Sequence, residues 1–140
     1  MLITIFVLLV VFQVKHYVVD YIWQLSNPDS LKKFDRSGWE WPLFKHANEH
    51  AVASVLISLV TIYAYGVPLN DDVIIFLIAI YFFDGIIHFT MDRIKASPYI
   101  WGKYTYPDKR YFKALGFDQS VHHLTHYAII LLLVLFLTRG

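Results

Sequence analysis

Long apolar segments limit what this chain can fold into more than any other feature does. The length of each segment is near the roughly 20 residues that a helix needs to cross the hydrocarbon core of a bilayer. Apolar residues make up 57% of the 140 residues and charged residues 16%, so the chain is more apolar and less charged than a soluble domain. We therefore predict one all-α domain over residues 1–140, a bundle of four transmembrane helices that cover Met1 to about Leu25, Leu43 to Val67, Asp72 to about Met91, and Phe117 to Thr138.

The sequences between these segments contain helix breakers and interfacial residues. Pro68 and the run of residues 70–72, Asn-Asp-Asp, predict a short turn between the second and third helices. The segment from Ser26 to Pro42 predicts a loop. The segment from Lys95 to Gly116 contains two prolines and six aromatic residues, so we expect an ordered interfacial loop between the third and fourth helices.

The distribution of basic residues predicts how the bundle is oriented. Lysines and arginines are concentrated in the first and third loops and their flanks, whereas the second loop has neither. By the positive-inside rule, both basic loops face the cytoplasm and both termini face outward. The net charge of +1 gives no reason to expect nucleic acid as a partner.

Histidines and aspartates recur at intervals of four residues within the predicted helices. Side chains four residues apart lie on one face of a helix, one turn from each other. Each set lies at the helix end next to a basic loop, so we predict that all the sets meet at the cytoplasmic end. Ionisable groups inside a membrane are costly, which favours a shared function. The candidate metal ligands are His16, Asp20, His46, His50, Asp84, His88, Asp92, Asp118, His122 and His126.

These side chains suit a transition metal. Imidazole and carboxylate groups in a chain without cysteine favour zinc, manganese or iron over calcium or magnesium. The candidate ligands exceed what one tetrahedral ion needs, so we predict a pair of divalent ions with an aspartate between them. Such pairs suit displacement at phosphorus and hydrolysis of acyl bonds. Asp92 and Asp118 are the candidate catalytic bases or bridges, and Lys95 is a candidate partner for a phosphate.

Other interpretations of the same residues are open at this point. The set could be a structural polar network, a metal-stabilised protein that binds a partner, or a pathway for ions or protons. His46 to His50 also matches the H-x-x-E-H pattern of zinc peptidases, with Glu49 as the base. Similar histidine motifs occur in membrane di-iron hydroxylases and desaturases, which use more histidines than the seven of this chain. We expect His123 to contact a loop or a headgroup, and Lys15 to be a snorkelling cation or the partner of an acid.

Four motifs, in their order along the chain, resemble those of a known family: His16-Tyr-Val-Val-Asp20-Tyr-Ile-Trp-Gln24, His46-x-x-x-His50, His88-Phe-Thr-Met-Asp92-Arg-Ile-Lys95 and Asp118-Gln119-x-x-His122. The small bacterial and phage membrane proteins catalogued as domain of unknown function 3307 are similar over nearly the whole chain. The resemblance implies an integral membrane protein of bacterial or phage origin and no particular activity. More loosely, the layout is similar to that of small inner-membrane proteins described as metal-dependent hydrolases.

These features together predict a membrane-embedded metal-dependent hydrolase. Its substrate would be a lipid or another amphiphile, including one that carries phosphate, at the cytoplasmic leaflet of the bacterial inner membrane. The expected partners are the bilayer, this lipid-like substrate, and a second copy of the chain or a host membrane protein. The main alternatives are a non-enzymatic metal-stabilised membrane protein and an oxidase of the di-iron type.

Overall fold

A computed structural model describes residues 1–23 and 37–139. Within these ranges the chain is helical without strands, and four helical segments are long and apolar enough to cross a membrane. The predicted all-α bundle is therefore confirmed. The predicted end of the first helix at Leu25 and most of the predicted first loop lie outside the described residues. The elements are α1 (Leu2–Tyr17), a π-helical turn that continues it (Val18–Trp23), α2 (Glu40–Ala64), α3 (Asp71–Ala96) and α4 (Lys109–Leu137).

The second helix begins earlier than predicted. It starts at Glu40 rather than at Leu43, so Pro42 lies in its first turn instead of in the preceding loop. Proline has no backbone N–H, but the first amides of a helix have no acceptor within the helix in any case. A proline is therefore compatible with this position, and its presence alone does not exclude a helix.

The second helix also ends earlier, at Ala64 rather than at Val67. Gly66 has a φ of +72°, the left-handed conformation that glycine adopts most readily. The N–H of Val67 donates to the carbonyl of Ile62 at 3.3 Å, and the N–H of Gly66 donates to the carbonyl of Tyr63 at 2.9 Å. These two hydrogen bonds form a Schellman motif, which terminates the helix.

The third and fourth helices are longer than predicted at the basic end of the bundle. Helix α3 continues past Met91 to Ala96, and α4 begins at Lys109 rather than at Phe117. The predicted interfacial loop from Lys95 to Gly116 is wrong at both ends, since the connection is only residues 97–108. Hydropathy locates the part of a helix that lies in lipid, whereas polar and basic residues can continue the same helix beyond it.

Side-chain caps fix the starts of both helices. Asn70 precedes α3, and its Oδ1 accepts a hydrogen bond from the N–H of Val73 at 3.0 Å, so the predicted turn before α3 is confirmed. Asp108 precedes α4, and its Oδ1 accepts from the N–H of Arg110 at 2.8 Å. Hydrogen bonds from Arg110 also lower the pKa of the Asp108 carboxyl. The cap therefore stays ionised at neutral pH and complements the positive end of the helix dipole.

The inside of the bundle divides along its length into an apolar half and a polar half. On α2 the inward stripe runs from His46 through His50, Ser54 and Ser58 to Ile62, at intervals of four residues. The same change from polar to apolar side chains occurs on the other helices, so the polar residues of the bundle share one end. The core of the apolar half consists of Leu8, Phe12, Ile62, Val73, Ile80, Ile129, Ile130 and Leu133.

Close backbone packing holds α2 against α3. These two helices make the most extensive contact within the described part of the bundle. A Cβ atom added at Gly85 of α3 would lie 3.4 Å from the Cβ of Ala51 on α2. Small residues at a helix interface let two helices approach closely, which is the main source of packing energy where lipid surrounds the bundle.

We expect Gly85→Leu to destabilise the bundle by about 1–3 kcal/mol, because the larger side chain would push α2 and α3 apart. Gly116→Leu is the matched control, since an added Cβ at Gly116 would meet nothing within 4 Å. Reversible unfolding in mixed detergent micelles, followed by circular dichroism, measures both variants. Equal stability of the two would contradict the role assigned to Gly85.

Candidate metal centre

The structure brings the sets of titratable residues together, as the sequence predicted. The rings of His50 and His88 stack with centroids 3.9 Å apart, and the centroids of His88 and His122 are 4.1 Å apart. The ring of His16 lies 5.4 Å from that of His126. Every helix contributes to this assembly. We refer to it as the polar cluster, and it consists of the ten predicted ligands (His16, Asp20, His46, His50, Asp84, His88, Asp92, Asp118, His122 and His126) together with Lys15 and Lys95.

The polar cluster is almost completely enclosed. Its histidines are at most 4% exposed, and Asp84 and Asp118 are fully buried. The side chains of Asp20 and Lys95 have the largest exposed fractions in the cluster, 16% and 33%. These two residues lie on the π-helical turn and near the end of α3, so they form the rim of the cluster on the side away from the apolar half.

A first group of ligands surrounds Asp20. The Nε2 of His50 donates to Oδ1 of Asp20 at 2.8 Å, and the Nε2 of His46 lies 3.2 Å from the same oxygen. The Nε2 of His16 lies 3.1 Å from Oδ2. Asp20 reaches this position from the π-helical turn, a local distortion that is frequent at functional sites. Three imidazole nitrogens thus converge on one carboxylate.

A second group lies beside the first and contains two carboxylates. The Nε2 of His122 lies 3.1 Å from Oδ1 of Asp118 and 3.9 Å from Oδ1 of Asp92. The ammonium of Lys95 donates to Asp92 at 2.7 Å and to Asp118 at 2.9 Å. The other oxygen of Asp92 lies 3.6 Å from the Nε2 of His46. Asp92 therefore lies between the two groups, where a bridging carboxylate would have to be.

A third group lies deepest, next to the apolar half, and includes a lysine. Lys15 is 6% exposed, and its ammonium donates to Asp84 at 2.8 Å and to the Nε2 of His126 at 3.2 Å. The expectation that Lys15 snorkels is wrong, whereas the alternative that it pairs with an acid is confirmed. Asp84 also accepts from Ser54 at 2.6 Å and lies 3.0 Å from the Nδ1 of His88. Asp84 and His126, both predicted as metal ligands, thus already contact an internal cation.

Several buried atoms of the polar cluster have no hydrogen-bond partner among the described residues. They include Nδ1 of His50, Nε2 of His88, Nδ1 of His122 and Oδ2 of Asp92. An unsatisfied buried polar atom costs about 1–3 kcal/mol. Such atoms beside imidazole and carboxylate donors fit a divalent transition metal.

The described residues include four sets of three that could hold a metal ion. Each residue of a set offers one ligand atom, and the three atoms of a set lie within 4.8 Å of one another. Three of these sets overlap, because they share the imidazole of His50 or of His88, whereas the set of Asp92, Asp118 and His122 is separate. Several parts of the polar cluster could therefore hold an ion, as predicted. The sets are His16, His50 and His88; Asp20, His46 and His50; Asp84, His88 and His126; and Asp92, Asp118 and His122.

Two residues outside the ligand set have roles other than those considered from the sequence. Glu49, the base that the H-x-x-E-H pattern requires, has its carboxylate 4.0 Å from the ammonium of Lys45 and a side chain that is 28% exposed, whereas His46 and His50 are buried. The structure thus gives no support to the peptidase interpretation. His123 was expected to contact a loop or a headgroup, but its Nδ1 pairs with Gln13 of α1 at 3.2 Å.

Ser54 belongs to the polar part of the bundle, although the motifs in the sequence did not single it out. This serine lies one helical turn from His50, and it is fully buried against Asp84. Ser54 follows His46 and His50 at the same interval of four residues, and this spacing could have predicted that it lies on the same inward face of α2.

No family model, curated protein or solved structure matches this chain. The resemblance to the family catalogued as domain of unknown function 3307 therefore stays a prediction.

We expect the detergent-purified protein to contain about one or two equivalents of a transition metal. His50→Ala should lower its metal affinity by about tenfold or more, because His50 belongs to two of the four sets. His123→Ala is the matched control, since His123 belongs to none of them. Elemental analysis and competition with chelators measure both. A wild-type protein that is folded and free of metal would contradict a metal centre.

Proposed function

We propose that this chain is a membrane-embedded metal-dependent hydrolase that acts on a lipid or another amphiphile. The observation that carries the proposal is the polar cluster itself, with carboxylates and imidazoles from every helix buried at one end of the bundle. A structural network would need its donors and acceptors paired. Here several buried nitrogens lack partners among the described residues, and those nitrogens are the atoms with which histidine binds metals.

Charge balance supports the binding of cations. Four aspartates lie in the polar cluster, and the ammonium groups of Lys15 and Lys95 neutralise two of them. If the imidazoles are neutral, two negative charges are left in a region that is almost completely enclosed. One divalent ion would neutralise them. A second divalent ion would leave a net positive charge, which favours a substrate with an anionic group such as a phosphate.

The residues at the rim have the chemistry that hydrolysis requires. A bound divalent ion would polarise the scissile carbonyl or phosphoryl group and activate water. Asp92 faces both ligand groups through its two oxygens, so it is suited to bridge them or to accept a proton. Lys95 contacts Asp92 and Asp118 and has the most exposed side chain of the cluster, so its ammonium is suited to contact an anionic headgroup.

The apolar half of the bundle argues against a pathway for ions or protons. A pathway across the membrane needs polar groups along its whole length. Here the polar side chains end near Ser54 and Ser58, and the buried core beyond them is formed by residues such as Phe12, Ile80 and Ile129. Polar groups confined to one end of the bundle suit binding or catalysis better than transport.

We further propose that the polar cluster lies on the cytoplasmic side of the bacterial inner membrane. The connection from α3 to α4 and the start of α4 carry Lys103, Lys109, Arg110 and Lys113, whereas the turn from α2 to α3 carries no basic residue. The positive-inside rule places the basic end in the cytoplasm.

This orientation predicts the result of cysteine labelling. The chain has no native cysteine, so single cysteines report one position each. A membrane-impermeant maleimide added to intact spheroplasts should label Asn70→Cys, whereas Lys109→Cys should react only after lysis. Labelling of Lys109→Cys from outside would place the polar cluster in the outer leaflet.

The second prediction from the proposal separates catalysis from structure. Asp92→Asn and Asp118→Asn keep the size of the side chain and remove the charge that bridges ions or accepts a proton. We expect both variants to retain their helicity and to lose at least about a hundredfold in turnover. Asp72→Asn is the matched control, because Asp72 is exposed in the first turn of α3, whereas the cluster residues of α3 begin at Asp84.

The measurement is turnover of phospholipid and isoprenoid-phosphate substrates by purified protein with zinc, manganese or iron. Activity that requires one of these metals and is lost in the two variants would support the hydrolase. A wild type without turnover under any metal, combined with strongly destabilised Asn variants, would favour the alternative of a metal-stabilised protein without catalysis. The near-complete burial of the histidines is the observation that makes this alternative the second candidate.

A further inference from the structure

The ammonium of Lys15 is held inside the membrane-spanning part of the bundle as a metal ion would be. Its side chain is 3% exposed. It donates to Oδ2 of Asp84 at 2.8 Å and to Nε2 of His126 at 3.2 Å. Ser54 donates to the same oxygen of Asp84 at 2.6 Å. A carboxylate and an imidazole nitrogen from two further helices thus converge on one cation supplied by α1.

The position of this ammonium coincides with one of the sets of candidate metal ligands. Asp84, His88 and His126 place their ligand atoms within 4.8 Å of one another, and two of these residues contact the ammonium directly. A metal ion in this set would have to be close to the charge of Lys15. Repulsion between two cations in a region of low dielectric is large, so the set cannot readily hold both.

We propose that Lys15 is the permanent cation of this innermost set and restricts metal binding to the ligands nearer the rim. The inference builds on the proposed metal centre, but it concerns a group that the proposed reaction does not use. It assigns Lys15 and Asp84 as positioning residues. Neither is expected to contact the substrate.

Asp84, which pairs with Lys15, also lies beside His88 and orients its imidazole. The Nδ1 of His88 lies 3.1 Å from the backbone carbonyl of Asp84, which can only accept, so Nδ1 carries the proton and donates to it. Oδ1 of the Asp84 carboxylate lies 3.0 Å from the same nitrogen but has no hydrogen-bond partner among the described residues. The Nε2 of His88 is then the nitrogen with the free lone pair, and it is buried without a partner among the described residues. A backbone carbonyl that accepts from one nitrogen of a histidine and leaves the other nitrogen for a metal is a common arrangement in metal proteins.

Lysine has an advantage over a metal ion in this place. Its charge belongs to the chain, so Asp84 is paired whenever α1 packs against α3, before any metal is available. The innermost layer of the polar cluster can therefore assemble in the membrane without metal, and the ligands nearer the rim can load later. Lys15 thus separates assembly of the bundle from loading of the metal.

The test is to remove the ammonium and measure metal content. Lys15→Met replaces the lysine with an unbranched apolar side chain that adapts to the same space. The vacated set should then bind an ion, so elemental analysis after exposure to zinc or manganese should show about one equivalent more than in wild type. Lys15→Arg keeps the charge and should show no gain. Lys45→Met is the matched control, because Lys45 is about half-exposed and lies outside the cluster.

A Lys15→Met protein with the same metal content as wild type would overturn the proposal. Wild-type protein free of metal would defeat the proposed metal centre, whereas a gain in Lys15→Met is expected regardless of the wild-type content. The two failures are therefore distinguishable.

Lys15→Met also leaves Asp84 charged and unpaired, so the variant could fail to fold without metal. The double variant Lys15→Met/Asp84→Asn removes both charges and keeps the proposal testable in that case. It should fold, show no gain of metal, and have a higher unfolding temperature than Lys15→Met. A double variant that is as unstable as Lys15→Met would show that the ammonium does not pair with Asp84 and would overturn the proposal.

Discussion

The burial of carboxylates inside a membrane-spanning bundle is the constraint on which the rest of this structure depends. Neither lipid nor an apolar side chain can solvate an ionised carboxylate, so each one needs a partner from within the bundle. The partners come from different helices: Lys15 of α1 pairs with Asp84 of α3, and Lys95 of α3 pairs with Asp118 of α4. Such pairs form only when the helices share one register along the membrane normal. This explains why the titratable residues of all the helices lie at comparable depth, and why the apolar residues are left to the other end.

The division of the core into two halves also separates the packing that stabilises the bundle from the candidate metal ligands. In lipid, helices associate mainly through close packing, which the apolar half and the contact of Gly85 with Ala51 provide. The polar half adds pairs that are satisfied only partly, because several imidazole nitrogens have no partner among the described residues. A bundle stabilised at one end can maintain this incomplete pairing at the other. Incomplete pairing is what a metal centre requires before its ion binds, since the ligand atoms must be close together and free.

The sequence predicted the fold and the meeting of the ligands well, because both depend on strong regularities. An apolar segment of about 20 residues is typical of a helix that crosses a membrane. Intervals of four residues place His46 and His50 on one face of α2, and Asp84 and His88 on one face of α3. Other features depend on contacts between distant residues. The sequence around Lys15 is compatible with a snorkelling lysine and with a buried one. The lysine is buried because Asp84 of α3 lies within reach of its ammonium. The end of α3 and the start of α4 were misplaced because hydropathy reports lipid contact and not helix ends.

The two lysines of the polar cluster differ in how deeply they are buried and in how they pair with carboxylates. The side chain of Lys15 is 3% exposed, and among the described residues its ammonium contacts only the carboxylate of Asp84, so its charge is fully used in neutralising Asp84. The side chain of Lys95 is 33% exposed and its ammonium is shared between Asp92 and Asp118, so those two carboxylates together keep an excess negative charge. In the proposed metal centre, a divalent cation would therefore be attracted to the rim and not to the innermost set. Asp92 and Asp118 would hold such an ion, and the ammonium of Lys95 would then be available to an anionic headgroup. The uneven pairing of carboxylates along the bundle thus favours the rim as the position of the proposed metal and substrate.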